Sequence, residues 1–276
     1  MSSNRHNLSF ENIEESLTCE LRKYKKIIIA FSGGADSTFL ATFALKTLGK
    51  ENVAVVHTKL PFSPPNELQL AQCWANDNDL KLYILDVDIL NNESVKENGI
   101  DRCYFCKKEI MSRIIEEQKS NPNLKHFANI ADGTLIDDLS DYRPGLKATD
   151  ELAILHPLAD VGIDKRISRV LARRMGLKSW KMAASACLAT RVPYNSELSI
   201  ELINRIGKIE SFIYELGILG GRVRLIDTES IKIEVPTLYF RKIIKHRKAI
   251  LKISLKIGFN NINLDLFGYR KTPPPF

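Results

Sequence analysis

Two groups of residues in this 276-residue chain carry chemistry by type and spacing. The first is Ser32-Gly33-Gly34-Ala35-Asp36-Ser37, which follows the apolar run Ile27-Ile28-Ile29-Ala30-Phe31 at once and leads into a helical pattern. Glycines at 33 and 34 let backbone N–H groups approach phosphate oxygens, Ser32 and Ser37 supply hydroxyl donors, and the following helix turns its positive end toward the anion. The turn is built for phosphate, yet it is neither a G-x-x-x-x-G-K-[ST] loop nor a G-x-G-x-x-G dinucleotide fingerprint. The second group is thiols. Cys103 and Cys106 form C-x-x-C, a spacing that lets two thiolates face one metal centre across a turn, and Cys187 lies in a small-residue stretch where a third thiol would close the site. Alone, the C-x-x-C reads equally as half a zinc site, a redox pair or two neighbouring thiols. Three cysteines leave one position of a [4Fe–4S] cluster without a protein thiolate, whereas a closed zinc site wants a fourth Cys or His, and no His lies near either cysteine segment. Cys19 and Cys73 fall in helical patterns and read as buried structural thiols.

The elements that must position these groups follow from periodicity. Phe10, Ile13, Leu17, Leu21 and Tyr24 predict a helix over 10–25, leading to a strand at 27–31. Helices over 38–48 and 66–78 then alternate with strands at 53–57 and 81–85, which means a parallel, doubly wound α/β sheet whose carboxyl edge receives the ligand. Further on, the pattern predicts a helix over 105–118, a strand at 126–131, a charged loop over 133–150 and a helix over 165–175. The sequence changes character near Cys187, which places a phosphate-binding domain at 1–187 and a smaller α+β domain at 188–276. The latter is expected to hold a helix over 197–216, strands at 223–226 and 231–235, a basic helix over 238–256 and a strand at 262–266.

Composition narrows the class. Apolar residues are 44% and charged residues 26%, as in an ordinary globular protein. No apolar run near 18 residues and no signal-like start are visible, so the expectation is a cytoplasmic protein with no membrane partner. An odd count of 5 cysteines argues against a disulfide scaffold. The net charge of +7 suits anionic ligands without naming one.

The glycine turn resembles the SGGxDS signature of the PP-loop family of ATP pyrophosphatases. That resemblance implies that Ser32, Gly33, Gly34 and Ser37 hold the β and γ phosphates of ATP, that Asp36 helps hold Mg²⁺, and that Val56, His57 and Thr58 on the next strand line the nucleotide. With Asp101-Arg102-Cys103-Tyr104-Phe105-Cys106-Lys107, Asp141-Tyr142-Arg143-Pro144-Gly145, Cys187-Leu188-Ala189-Thr190-Arg191 and Asp265-Leu266-Phe267-Gly268-Tyr269-Arg270 in order, the chain resembles the LarE family over nearly its whole length. These are sulfur transferases that adenylate the carboxylates of pyridinium-3,5-biscarboxylic acid mononucleotide and convert them to thiocarboxylates for the nickel-pincer nucleotide cofactor. The family has two sulfur sources: a sacrificial cysteine matching Cys187, or a [4Fe–4S] cluster on three cysteines. The resemblance favours the second here, with Cys103, Cys106 and Cys187 as ligands. It also implies that Arg222 and Arg224 bind substrate phosphate, that sulfide or an upstream donor supplies sulfur, and that the chain forms a homo-oligomer. Asp137 and Arg143 are candidates for nucleotide or substrate contact, with an internal salt bridge as the alternative.

Two other classes stay in view. The run from Arg241 to Lys248 would suit a tRNA thiolase, but it lacks interleaved aromatics and reads better as a solvated helix face, so no nucleic-acid partner is expected. An iron–sulfur carrier that binds nucleotide only to regulate release is the non-enzymatic alternative, and Ser32, Asp36 and Ser37 speak against it.

Overall fold

The computed structural model describes residues 10–64, 66–140, 144–182 and 186–269. These fall into two compact units, one of residues 10–59, 66–87 and 103–182, the other of residues 60–64, 88–102 and 186–269.

In the first unit four parallel strands lie in the order β3-β2-β1-β4, with β1 at Ile27–Ala30, β2 at Val53–Lys59, β3 at Leu82–Asp86 and β4 at Asn129–Ala131. The β-branched run Ile27-Ile28-Ile29 is fully buried, as a strand covered on both faces requires. Alternation sorts its side chains. Ile27 and Ile29, with Val53 and Val55, pack on one face against α1 (Phe10–Tyr24), α2 (Ala35–Leu48) and α3 (Glu67–Asp77), while Ile28, Ala54 and Val56 meet Met111, Ile114, Leu124 and Phe127 on the other. Helix α2 buries Phe39, Leu40, Ala41, Phe43 and Ala44, nearly all round, which fixes it as the central helix behind the glycine turn.

The strand order sets the site. From β1 the chain winds through β2 to β3 on one side, while β4 pairs with β1 on the other. The carboxyl ends of β1 and β4 therefore flank the switch point of the sheet, where open α/β proteins bind ligands. Gly33 leaves β1 with φ +74, and a Cβ there would stand 3.0 Å from Ala71 N, so both conformation and space demand glycine. Gly133 leaves β4 so close to the start of α2 that a Cβ would lie 2.8 Å from Ser37 N and 3.0 Å from the Asp36 carbonyl carbon. Gly133→Ala should therefore cost about 1–3 kcal/mol and weaken nucleotide binding, because the contact is backbone and cannot rotate away; urea unfolding and titration with a non-cleavable ATP analogue check it.

The second unit has a three-stranded sheet, β5 (Arg222–Leu225) antiparallel to β6 (Ser230–Glu234), and β6 parallel to β7 (Asn261–Leu264). A parallel pair needs a crossover, supplied by the helices Phe240–Lys245 and Arg247–Lys256. The helix Ile200–Glu215 packs on β5 and on Arg247–Lys256, burying Ile203, Ile206, Ile209 and Ile213.

Several expectations need correction. The stretch 133–150 contains the helices Ile136–Ser140 and Pro144–Glu151, each too short to show a 3.6-residue period. The strand expected at 126–131 is only Asn129–Ala131, since Phe127 N bonds Leu124 O in a turn. The basic helix over 238–256 is broken at His246, which leaves helical geometry between its two halves. The C-x-x-C lies inside the helix Arg102–Ser120, at its second and fifth residues, rather than in a turn between elements. Cys19 and Cys73 are exposed, not buried. On α1 the buried stripe is Ile13, Leu17 and Leu21, so Cys19 faces away from it, and on α3 the stripe is Ala71, Trp74 and Ala75. Among the described residues no helix is long and apolar enough to cross a membrane.

Candidate functional site

The glycine turn is held open by its own hydroxyls. Ser37 Oγ donates to Gly34 O at 3.2 Å, which leaves Ser32 Oγ to donate to Ser37 Oγ at 3.0 Å while accepting from Gly34 N at 3.3 Å. Gly34 caps α2 with extended backbone and no side-chain bond, so the first N–H groups of this 14-residue helix are not spent on a side-chain cap. Asp36, in that first turn, accepts from Ser168 Oγ at 3.0 Å, from the helix Lys165–Arg174. Ser168 is 1% exposed, and nothing in the sequence singled it out. Oxygen donors of this kind suit Mg²⁺.

Next to the turn, on β2, the buried His57 points Nδ1 at Phe31 O, 2.9 Å away. A carbonyl only accepts, so Nδ1 carries the proton and Nε2 is a bare acceptor, buried with no hydrogen-bond partner among the described residues. Burial pushes the imidazole pKa down, although the Phe31 carbonyl works the other way, so the ring is neutral. A buried acceptor beside the phosphate turn fits a nucleotide donor group. Thr58, one residue on, is half-buried and faces the opposite side of the strand.

The turn after β4 brings in three residues that sequence reasoning missed. Asp132 accepts from Thr134 N at 3.1 Å and Thr134 Oγ1 at 2.6 Å, faces His156 Nδ1 at 2.8 Å, and pairs with Lys107 Nζ at 2.9 Å. Burial alone would raise the Asp132 carboxyl, but Lys107, His156 and Thr134 outweigh it and hold it well below the ordinary carboxylate range. Lys107 directly follows Cys106.

Cys103 and Cys106, three residues apart on a helix, share one face; Cys103 is exposed and Cys106 half-buried. Cys187, half-buried, belongs to the second unit and caps the short 3-10 helix Leu188–Arg191. Its carbonyl accepts from Thr190 N at 3.1 Å and Thr190 Oγ1 at 2.9 Å, and Arg102 bonds Asn98 Oδ1 and, at 3.3 Å, Ala189 O. Among the described residues, no three His, Cys, Asp or Glu side chains are grouped so as to hold a metal ion.

Around the Cys187 loop lies a cluster of arginines. Arg191 grips Glu210 with two bonds of 2.6 and 3.0 Å, and Glu210 also accepts from Val223 N at 2.8 Å. Arg222 is 7% exposed, stacks on Tyr269 with its guanidinium 4.7 Å from the ring centre, and bonds the Tyr269 hydroxyl at 3.1 Å. Burial, then the nearby Arg191, lowers its pKa. Arg224 pairs with Glu234 at 2.8 Å and donates to Thr190 O at 2.9 Å. Three arginines against Glu210 and Glu234 leave an excess positive charge beside Cys187, which suits an anion.

Comparison with known proteins decides the family. A family model described as NAD synthase matches residues 9–115, the stretch with the glycine turn and the C-x-x-C. A Lactiplantibacillus plantarum protein named pyridinium-3,5-bisthiocarboxylic acid mononucleotide synthase, a LarE protein, is 29% identical over 255 residues, 92% of this chain and 91% of its own. An uncharacterized Synechocystis protein, slr1717, is 31% identical over 247 residues, 89% of this chain and 90% of its own. The chain belongs to the LarE family. A third relative, the uncharacterized MJ0830 of Methanocaldococcus jannaschii, is 30% identical over 251 residues, 90% of this chain and 92% of its own. As a LarE homologue the protein is an enzyme of the PP-loop ATP pyrophosphatase kind, with the phosphate turn at the switch point of its sheet.

Within the LarE frame, two motifs fall partly outside the described residues. Arg143 and Asp141 lie there, and so does Arg270. Asp137 is placed: its carboxylate accepts from Lys165 N at 2.7 Å, at the start of the helix that carries Ser168. Arg191 stood in a quoted motif, whereas Glu210 and Glu234 gave no signal beyond helical or strand periodicity.

Proposed function

We propose that this protein is an ATP-dependent sulfur transferase that adenylates the carboxylates of pyridinium-3,5-biscarboxylic acid mononucleotide and converts them to thiocarboxylates, a step in making the nickel-pincer nucleotide. The observation that carries the reading is the likeness to the L. plantarum synthase over nine-tenths of both chains, joined to an intact phosphate turn. The turn grips the β and γ phosphates of ATP, Asp36 would help hold Mg²⁺, which would neutralise developing phosphate charge, and the substrate carboxylate attacks the α-phosphorus as pyrophosphate leaves. Sulfur then attacks the acyl carbon and AMP departs. Arg222 and Arg224 take the mononucleotide phosphate, and the surplus charge around Arg191 supports that assignment.

The sulfur source has two readings. Soft thiolates suit iron, and two of the three sit on one helix face, so Cys103, Cys106 and Cys187 would hold a [4Fe–4S] cluster. When bound, the cluster supplies sulfur at the iron that lacks a protein ligand. In the second reading Cys187 itself is the sulfur source. There the Cys187 thiolate attacks the acyl adenylate to give a thioester, and β-elimination breaks its Cβ–S bond, leaving the thiocarboxylate and dehydroalanine. A cytoplasmic setting fits both, since it keeps thiols reduced. Self-association finds support in Leu238, Leu266 and Phe267, exposed by 74%, 79% and 74% in the second unit.

Pyrophosphate release that requires the pyridinium substrate is the test of the reaction. For the sulfur source, protein purified without oxygen should carry about four irons per chain, lost in Cys103→Ala, Cys106→Ala and Cys187→Ala alike. Iron absent even after anaerobic reconstitution, with dehydroalanine at Cys187 after turnover, selects the sacrificial reading.

A further inference from the structure

His156 is 9% exposed and lies outside every motif. Its hydrogen bonds determine its charge. Thr149 Oγ1 donates its one proton to Leu146 O at 2.7 Å, so at 3.1 Å from His156 Nε2 it can only accept. The ionised Asp132 carboxylate, 2.8 Å from Nδ1, also only accepts. Both ring nitrogens therefore carry protons, and the ring is an imidazolium.

The charges facing this ring come from each element packed on it: Asp132 at the end of β4, Lys107 from the helix Arg102–Ser120, Asp150 at 3.9 Å from the helix Pro144–Glu151, and Asp160 from the helix Pro157–Asp160, whose carboxyl feels the ring's charge. Burial opposes the proton and so does Lys107, but Asp132 and then Asp150 outweigh them and raise the His156 pKa. Lys107, Asp132 and His156 together carry one net positive charge in a mostly buried trio. The residue after Asp132 is Gly133, whose backbone lies against Asp36 and Ser37.

We propose that His156, as an imidazolium, is a positioning residue of the nucleotide site: it fixes Asp132, and through it Lys107 and the 132–134 turn, against the start of α2, so that MgATP binds best while His156 is protonated. This rests on Ser32–Ser37 being the triphosphate turn. A neutral ring has one donor for two acceptors, so its loss of a proton frees either Asp132 or Thr149 and removes the positive charge that the trio offers the triphosphate. Because folding raises the pKa, the histidine's contribution to stability is complete below the ordinary histidine range and is lost as pH rises through the raised value. Nucleotide affinity follows the same direction.

The test is calorimetric titration of the full chain with the α,β-methylene analogue of ATP, in excess Mg²⁺, from about pH 6 to about pH 9.5. Wild type should bind about tenfold more weakly at the alkaline end, the scale of one charge-assisted bond. His156→Asn, which keeps a neutral donor toward Asp132, should bind weakly at every pH with no slope. Thr149→Val, which removes the acceptor at Nε2, should keep the slope and move its midpoint to lower pH. A wild-type affinity that is flat with pH overturns the proposal, as does a folded His156→Asn protein with the wild-type slope. No binding by wild type at any pH would instead sink the triphosphate assignment, and this proposal with it.

Discussion

Asp36→Ala protein, given ATP, Mg²⁺ and substrate, should release pyrophosphate at no more than about a hundredth of the wild-type rate, the usual scale for removing one preorganised charge partner from a reacting phosphate. The carboxylate sits in the first turn of α2, one residue before Ser37, with one oxygen aimed by the buried Ser168 hydroxyl. Its charge, not its hydrogen bond, is what Mg²⁺ needs. Asp36→Asn, which still accepts from Ser168, should therefore fall nearly as far as alanine, while Ser168→Ala should lose much less. A Ser168→Ala loss as large as that of Asp36→Asn would show that aim matters more than charge. Retained pyrophosphate release in Asp36→Ala would remove the carboxylate from the mechanism.

Cys187→Ala should separate the two halves of the reaction. The hydrogen bonds described for the phosphate turn, Asp36 and His57 are made without this thiol, so AMP and pyrophosphate should still form. Thiocarboxylate should vanish entirely, because both sulfur sources use Cys187. Cys103→Ala then discriminates between them. It should be as dead as Cys187→Ala if a cluster carries the sulfur, and should keep one turnover if Cys187 is consumed. Thiocarboxylate from Cys187→Ala at the wild-type rate would contradict both.

The parallel sheet and its phosphate turn were legible because they are local: an unbroken β-branched strand, two glycines and a helix stand within some twenty residues of one another. The charged stretch 133–150 was misread because helices of five and eight residues are too short for periodicity to register. Helical spacing around Cys19 and Cys73 was right, but the face was not, since a thiol is apolar enough to pass for core in a one-dimensional pattern. What could not be read at all was the company kept by distant residues. Lys107, Asp132 and His156 meet only because three separate elements converge on the end of β4, and Glu210 meets Arg191 because a helix packs on the sheet that bears Arg222. Such polar groups look like surface in sequence, and burial with partners is what gives them a role.

The central claim is that ATP is spent to put sulfur on a pyridinium carboxylate. The direct measurement is mass spectrometry of the nucleotide and pyridinium products after a single turnover, with protein prepared without oxygen and Mg²⁺ present. The account predicts a thiocarboxylate in place of a carboxylate, formed in equal amount with AMP and absent when ATP is withheld. AMP that accumulates without the pyridinium compound, or with that compound recovered unchanged, would contradict it.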